Sequence, residues 1–242
     1  WRRRRVGCST AMTATLVLLP GMDGTGALFD GFVASMPAGI DVAVIRYPGH
    51  ESADYPPLED PVRDQLPKRP FVLLAESFSG PIGLSIAADP PAMLRGLILC
   101  CTFAKSPVPF GRWMRHIVRW APAHKLPQRL LDLFLLGRYA SADLRAKFAE
   151  VMASVSPQVM KQRVLQALQV DVSDRLCAIS VPTMYLRASE DRLIRQSAAN
   201  HLASEIPSMR TVQFDAPHFL LQTRSPEAAI VVAEFVRSCS GE

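Results

Sequence analysis

The chain has 242 residues, 49% of them hydrophobic and 20% charged, a composition that fits one domain with a large core. No apolar run reaches the roughly 18–20 residues of a membrane-spanning helix, which argues for a soluble protein and against stable membrane insertion. The formal charge of +5 is no sign of a nucleic-acid partner, because Arg2 to Arg5 supply four of those charges and the rest of the chain is nearly neutral.

Residues 1–12 read as a flexible or added leader ahead of the fold. The arginines are followed by no apolar segment, so neither a secretory signal nor a lipoprotein signal is complete. Thr13 to Leu19 is an apolar, β-rich run closed by Pro20-Gly21, and Gly24 and Gly26 punctuate the loop after it. Ala27 to Met36 fits a helix, and Asp41 to Tyr47 fits a second strand closed by Pro48-Gly49. Ser52 to Pro70 is polar and proline-rich, with room for one short helix around Val62 to Leu66. Phe71 to Ala75 is a buried strand that stops at Glu76-Ser77. A helix-compatible stretch, Ile82 to Ala88, follows, and then another buried strand, Leu94 to Thr102.

Strand alternating with helix predicts right-handed crossovers and a mostly parallel sheet. Strands of such a sheet read as unbroken apolar runs because both faces are covered. From Lys105 to about Val172 no strand is evident. This part reads as several short helices inserted into the sheet domain, a cap over residues 105–172. Arg112, Arg115, Arg119 and Lys125 interleave with aromatics there, which fits a solvated face over a packed cap better than a membrane-surface helix. The α/β pattern then resumes with a strand at Val181 to Arg187, a helix at Gln196 to Ser204 and a strand at Met209 to Phe214. The last helix opens at Ser225-Pro226, with serine as its cap and proline at the first helical position. The core domain is therefore expected over 13–104 and 173–242.

The five cysteines, Cys8, Cys100, Cys101, Cys177 and Cys239, are odd in number and scattered. Reduced thiols in a cytoplasmic protein are expected. Metal-ligand spacing is absent, and no cofactor is expected.

The chemistry concentrates where strands end. Ser77 stands at the apex of a strand-to-helix turn, with small residues at Ala75, Ser79 and Gly80 around it. A nucleophile elbow needs small residues there, because the strand and helix backbones pass close together. Serine is a weak nucleophile at neutral pH and needs an imidazole to take its proton and a carboxylate to orient the imidazole. Of the five histidines, only His218 lies in a loop just after a late strand, so it is the expected base. The expected acid is Asp191, in the loop Ala188-Ser189-Glu190-Asp191-Arg192 after an earlier strand, with Glu190 as the alternate. Two backbone donors must meet the developing negative charge. These are expected from Phe78 N–H, next to the serine, and Met22 N–H, in the glycine-bordered loop after the first strand.

With these pieces the chain resembles the α/β-hydrolase family. The residues that carry the resemblance are Pro20-Gly21-Met22-Asp23-Gly24, Tyr47-Pro48-Gly49-His50-Glu51-Ser52, Glu76-Ser77-Phe78-Ser79-Gly80, Ser189-Glu190-Asp191 and Pro217-His218. The resemblance runs from about Thr13 to Arg237, with the middle third matching only as a variable cap. Here Pro20-Gly21 replaces the family's usual His-Gly, Ala75 and Ser79 replace the elbow glycines, and the segment between Ser52 and Pro70 is short. The resemblance implies an α/β-hydrolase fold with a mostly parallel central sheet, flanking helices and an inserted helical cap. It also implies a serine hydrolase with nucleophile Ser77, acid Asp191 and base His218.

The expected reaction is cleavage of a small-molecule carboxylic ester through an acyl-enzyme. Phe103, Trp113, Phe134 and Leu135 are candidate walls for an apolar acyl or alcohol group. An acyltransferase or thioesterase would use the same triad, and the loop Leu18 to Gly26 looks like that of plastid phytyl-ester-forming acyltransferases. A non-catalytic binding module on the same fold is the third reading.

Overall fold

A computed structural model describes residues 14–49, 55–108, 110–120 and 128–240. The leader at 1–12, His50, Glu51 and Ser52 of the resemblance motif, and Lys125 of the basic stretch all lie outside the described residues.

Six strands form one all-parallel sheet in the order β2-β1-β3-β4-β5-β6. They are β1 (Ala14–Leu19), β2 (Ile40–Val44), β3 (Phe71–Glu76), β4 (Leu94–Cys100), β5 (Thr183–Ala188) and β6 (Met209–Phe214). Side chains alternate faces along a strand, and here both faces are apolar. Val17, Leu19, Leu73, Ala75, Leu97, Leu99 and Tyr185 face one core. Leu16, Leu18, Val72, Leu74, Ile98, Met184 and Leu186 face the other. The unbroken apolar runs in the sequence follow from this double burial.

The first core is covered by α2 (Tyr55–Asp64), α3 (Gly80–Ala88) and α8 (Gln196–Glu205), through Leu58, Val62, Leu84, Ile86 and Leu202. The second is covered by α1 (Asp30–Ala34) and α10 (Ser225–Ser240), through Phe32, Ala228, Val232, Phe235 and Val236. A four-residue helix, α9 (Leu220–Thr223), leads into α10. Among the described residues, four α-helices stand between β4 and β5: α4 (Gly111–Trp120), α5 (Gln128–Leu135), α6 (Ala142–Ser154) and α7 (Pro157–Ala167). Ser141 and Ser156 cap the last two, each accepting an N–H three residues on. Among the described residues, no helix is long and apolar enough to cross a membrane.

Local departures from the sequence reading have physical causes. The helix expected around Val62 to Leu66 begins at Tyr55 instead. Its first prolines sit in the first turn, where a missing N–H costs nothing, and only Pro61 interrupts the interior. Ser225 is not a cap: its hydroxyl donates back to the Leu221 carbonyl at 2.6 Å, and α10 begins with it. The second strand ends at Val44, not Tyr47. The chain beyond it leaves the ladder, and Tyr47 N–H donates to the Gly24 carbonyl at 2.8 Å. In α4 the aromatic side is exposed, not packed.

Candidate active site

The site forms at the carboxyl edge of the sheet, where β1, β3, β4, β5 and β6 hand over to loops. β3 is buried along its whole length and ends at Glu76. Ser77 then takes φ 49, in the left-handed region, a conformation costly for a side chain bearing Cβ and held only by its surroundings. Those surroundings are tight. A Cβ on Gly80 would lie 1.8 Å from Thr102 Oγ1, and one on Gly83 would lie 2.7 Å from Ala75 Cβ. Thr102 Oγ1 donates to the Ser77 carbonyl, locking the apex from β4's side. Ser79 does more than stay small: it is fully buried, its hydroxyl donates to the Pro20 carbonyl and it is hydrogen-bonded to Tyr47 Oη. The elbow is thereby tied to the loop after β1.

Ser77 Oγ lies 2.8 Å from His218 Nε2, and His218 Nδ1 lies 2.8 Å from Asp191 Oδ2. The consistent tautomer has Nδ1–H donating to the carboxylate and Nε2 accepting the serine hydroxyl. Asp191 Oδ1 accepts N–H from Leu193 and Ile194, both at 2.8 Å, which fixes the carboxylate from behind. Burial pushes Asp191 up, but His218 and the two backbone donors outweigh it and hold the carboxyl below the usual range. Burial likewise pushes His218 down, and the Asp191 charge and hydrogen bond more than offset this, leaving the imidazole above its ordinary value. Glu190, the other carboxylate of the loop, is drawn away by Arg138 at 2.5 Å.

The loop after β1 is held by a residue the sequence reading missed. Arg163 of α7, only 2% exposed, donates through Nη1 to the carbonyls of Met22 at 2.9 Å and Asp23 at 2.6 Å, and through Nη2 to that of Pro48 at 3.3 Å. Gly24, at φ 69, leaves the space for it: a Cβ there would sit 2.5 Å from Nη1. With the Met22 and Asp23 carbonyls turned toward the guanidinium, the Met22–Asp23 and Asp23–Gly24 peptide planes are set, and the Pro48 carbonyl ties the loop after β2 to the same group. Phe78 follows Ser77 in the turn that opens α3, at the positive end of the helix dipole. Met22 packs, partly buried, against the core cluster that includes Phe78, Tyr47 and Phe103.

Glu76, beside the serine, is buried and accepts from Gln222 Nε2 at 3.0 Å. Burial pushes its carboxyl up to about 7. Among the described residues Gln222 Oε1 has no partner, and a protonated Glu76 carries the donor it lacks. No sequence signal marked Arg163 or the Glu76–Gln222 pair.

The expected wall residues separate. Phe103 is buried just beyond β4. Leu135 reaches the site through its backbone, its carbonyl accepting Phe219 N–H at 3.0 Å next to His218. Phe134 is partly exposed, and Trp113 turns to solvent on α4. Among the described residues no cluster of histidine, cysteine, aspartate and glutamate side chains could hold a metal ion.

A family described as serine aminopeptidase, S33, matches residues 52–219. No curated protein matches the chain. Solved structures match it over nearly their full length. The enol-lactonase from Burkholderia xenovorans has a TM-score of 0.77 at 18% identity, covering 93% of this chain and 91% of that one. An esterase from Exiguobacterium antarcticum has 0.79 at 15%, covering 93% and 92%. The bromoperoxidase from Bacillus anthracis has 0.80 at 15%, covering 94% and 93%. At these identities the likeness is one of fold.

Proposed function

The chain belongs to this serine aminopeptidase family of α/β-hydrolases, and from that premise we propose that it is a hydrolase of carboxylic esters working through an acyl-enzyme on Ser77. The observation that carries the reading is the relay of two 2.8 Å hydrogen bonds joining Ser77, His218 and Asp191.

Ser77 Oγ attacks the ester carbonyl carbon while His218 Nε2 takes the hydroxyl proton. The imidazolium so formed keeps its Nδ1–H on Asp191, which stays ionised. The carbonyl oxygen becomes an oxyanion between Phe78 N–H and Met22 N–H. Collapse breaks the bond to the alkoxy oxygen, and His218 returns the proton to the leaving alcohol. Water then repeats the sequence: His218 takes its proton, hydroxide adds to the acyl carbon, and Ser77 leaves with the proton from the imidazole. These steps use no metal or cofactor. Phe103, Phe134 and Leu135 supply the apolar wall, and the helices of residues 105–172 act as the cap over the core formed by 13–104 and 173–242.

Acyl transfer or thioester cleavage is the second reading, favoured by the loop Leu18 to Gly26. An ester panel graded by acyl length, run beside a thioester and with added alcohols, separates the two. The direct test is Ser77→Ala. It should fold as wild type and lose turnover of a chromogenic ester, and a fluorophosphonate probe should label wild type at Ser77 alone. Retained turnover removes Ser77 from the mechanism. A folded protein that neither turns over esters nor takes the probe is a binding module.

A further inference from the structure

Helix α4 presents its apolar stripe to water. At about 100° per residue, Trp113, Ile117 and Trp120 share one face, and Phe110 heads the same line one turn earlier. They are 65%, 52%, 85% and 85% exposed. Phe110 holds φ 58, a left-handed conformation unusual for a bulky residue. The opposite side of the helix does the packing. A Cβ on Gly111 would lie 2.5 Å from the Leu168 carbonyl, and Lys161 of α7 donates to the Arg119 carbonyl at 2.6 Å.

The flank of the stripe is basic. His116, about 60° round the helix from Trp113, and Arg119, about 100° from Trp120, are exposed on its two flanks, whereas Arg115 is half-buried and about 160° from Trp113, on the packing side. From Pro90 through Leu131 the sequence holds no aspartate or glutamate, yet it holds Arg95, Lys105, Arg112, Arg115, Arg119, Lys125 and Arg129. Aromatic rings with cations beside them, in a stretch of sequence without acids, match the interface of an anionic bilayer. Tryptophan settles there at headgroup level, and an amphipathic helix of this make lies in the plane with its apolar face in the acyl boundary. A second copy of the chain is a poorer occupant, because pairing two such faces would bring cations together with no acids between them.

We propose that α4 is a reversible docking element for membranes rich in anionic lipids. The binding does not depend on the proposed reaction. Where that reading holds, docking brings the capped side of the site to the phase in which apolar esters partition.

Two of the three tryptophans are in the stripe, the third being Trp1, so Trp1→Phe protein makes intrinsic fluorescence a reporter of α4. The test uses this protein with vesicles of phosphatidylcholine, with and without phosphatidylglycerol. Anionic vesicles should shift the emission to the blue, brominated acyl chains should quench it, and the protein should co-sediment with lipid at low salt and be released at high salt. Each arginine near the surface is worth about 1 kcal/mol, or about fivefold in partitioning, so Arg119→Gln should weaken binding roughly fivefold. In the same chain, Trp113→Ser with Trp120→Ser should weaken it at least about tenfold, with circular dichroism and thermal midpoint unchanged. No association of the unsubstituted stripe with anionic vesicles overturns the proposal. So does binding indifferent to headgroup charge and salt. A concentration-dependent dimer that the tryptophan substitutions split, without vesicle binding, makes the stripe a self-interface and overturns it too. If a variant fails to fold, quenching of Trp113 and Trp120 by brominated lipid decides alone.

Discussion

Replacing Arg163 tests whether the loop after β1 is shaped from the inserted helices. The guanidinium meets three backbone carbonyls, two of them at 2.9 Å or less. A hydrogen bond to a charged group contributes about 1.5–3 kcal/mol, so the two short bonds amount to roughly 3–6 kcal/mol gross. Against this stands the desolvation of a cation that forms no salt bridge with any described residue. Arg163→Met fills the space but leaves the carbonyls of Met22, Asp23 and Pro48 without their donor, and a net destabilisation of about 2–4 kcal/mol is expected. The catalytic consequence is separate. With the carbonyls released, the Met22–Asp23 peptide loses its fixed plane, and the Gly21–Met22 peptide next to it, which carries the N–H proposed for the oxyanion, loses one of its anchors. Loss of one such donor costs about 10²–10³ in kcat. The two effects are read apart by denaturant midpoints and by steady-state kinetics on a short ester, far below the thermal midpoint. The expected result is a fall in kcat of about a hundredfold with KM within a few-fold, and a partial recovery in Arg163→Lys, which keeps one charged donor. If Arg163→Met is less stable yet keeps kcat within about twofold of wild type, the clamp supports the fold only and the assignment of Met22 fails.

The acid limb of kcat/KM should titrate with an apparent pKa above the ordinary histidine value of 6.5, because Asp191 holds His218 up. Asp191→Asn should lower both that pKa and kcat, by orders of magnitude for the latter, and an unmoved limb would detach the profile from His218. Glu76 gives a stability signature of opposite kind to a paired carboxylate. Its folded value of about 7 lies above the ordinary 4.5, so its contribution is fully present below about 4.5 and fades as pH rises through about 7. Relative to Glu76→Gln, wild type should therefore lose up to about 3 kcal/mol between pH 4.5 and 8, read from denaturant midpoints, and a pH-independent difference would contradict this. Gly80→Ala should destabilise by about 1–3 kcal/mol and impair catalysis, since the new Cβ meets Thr102 Oγ1 at 1.8 Å and dislodges the bond to the Ser77 carbonyl. Adding Thr102→Ala should recover part of the stability, and no recovery would place the clash elsewhere.

The parts of this protein that sequence makes visible are those whose chemistry and chain position coincide. The sheet was legible because parallel strands buried on both faces leave apolar runs that nothing else in the chain imitates. Ser77 and Asp191 were legible as candidates because each follows such a run closely, and His218 because it lies in the loop after the half-exposed last strand, β6, at the same edge. Ser79 was read as a departure from glycine, and its size was the only property weighed. Its hydroxyl between Tyr47 and Pro20 depends on two segments meeting in space, and no local pattern announces that. Arg163 is hidden for the same reason: its partners are backbone carbonyls, which any residue supplies, so neither end of the contact has a signature. The start of α2 was misplaced because prolines read as breakers, although the first turn of a helix accommodates them.

Helix α4 shows a deeper ambiguity. A stripe at Trp113, Ile117 and Trp120 establishes that one side of a helix is apolar, and the inference that this side faces the core adds an assumption about what surrounds it. The assumption holds when burial of that side is the main force seating the helix. Here the seat is made by a glycine with no side chain, Gly111, pressed on the Leu168 carbonyl, and by Lys161 on a helix-terminal carbonyl. Neither leaves a mark in the hydrophobic pattern. A helix anchored through its backbone is free to display its rings, and it then needs some other apolar phase to cover them. The basic stretch around those rings, whose sequence holds no acid, is what points to a charged lipid surface as that phase, since a purely apolar partner would gain nothing from its charges.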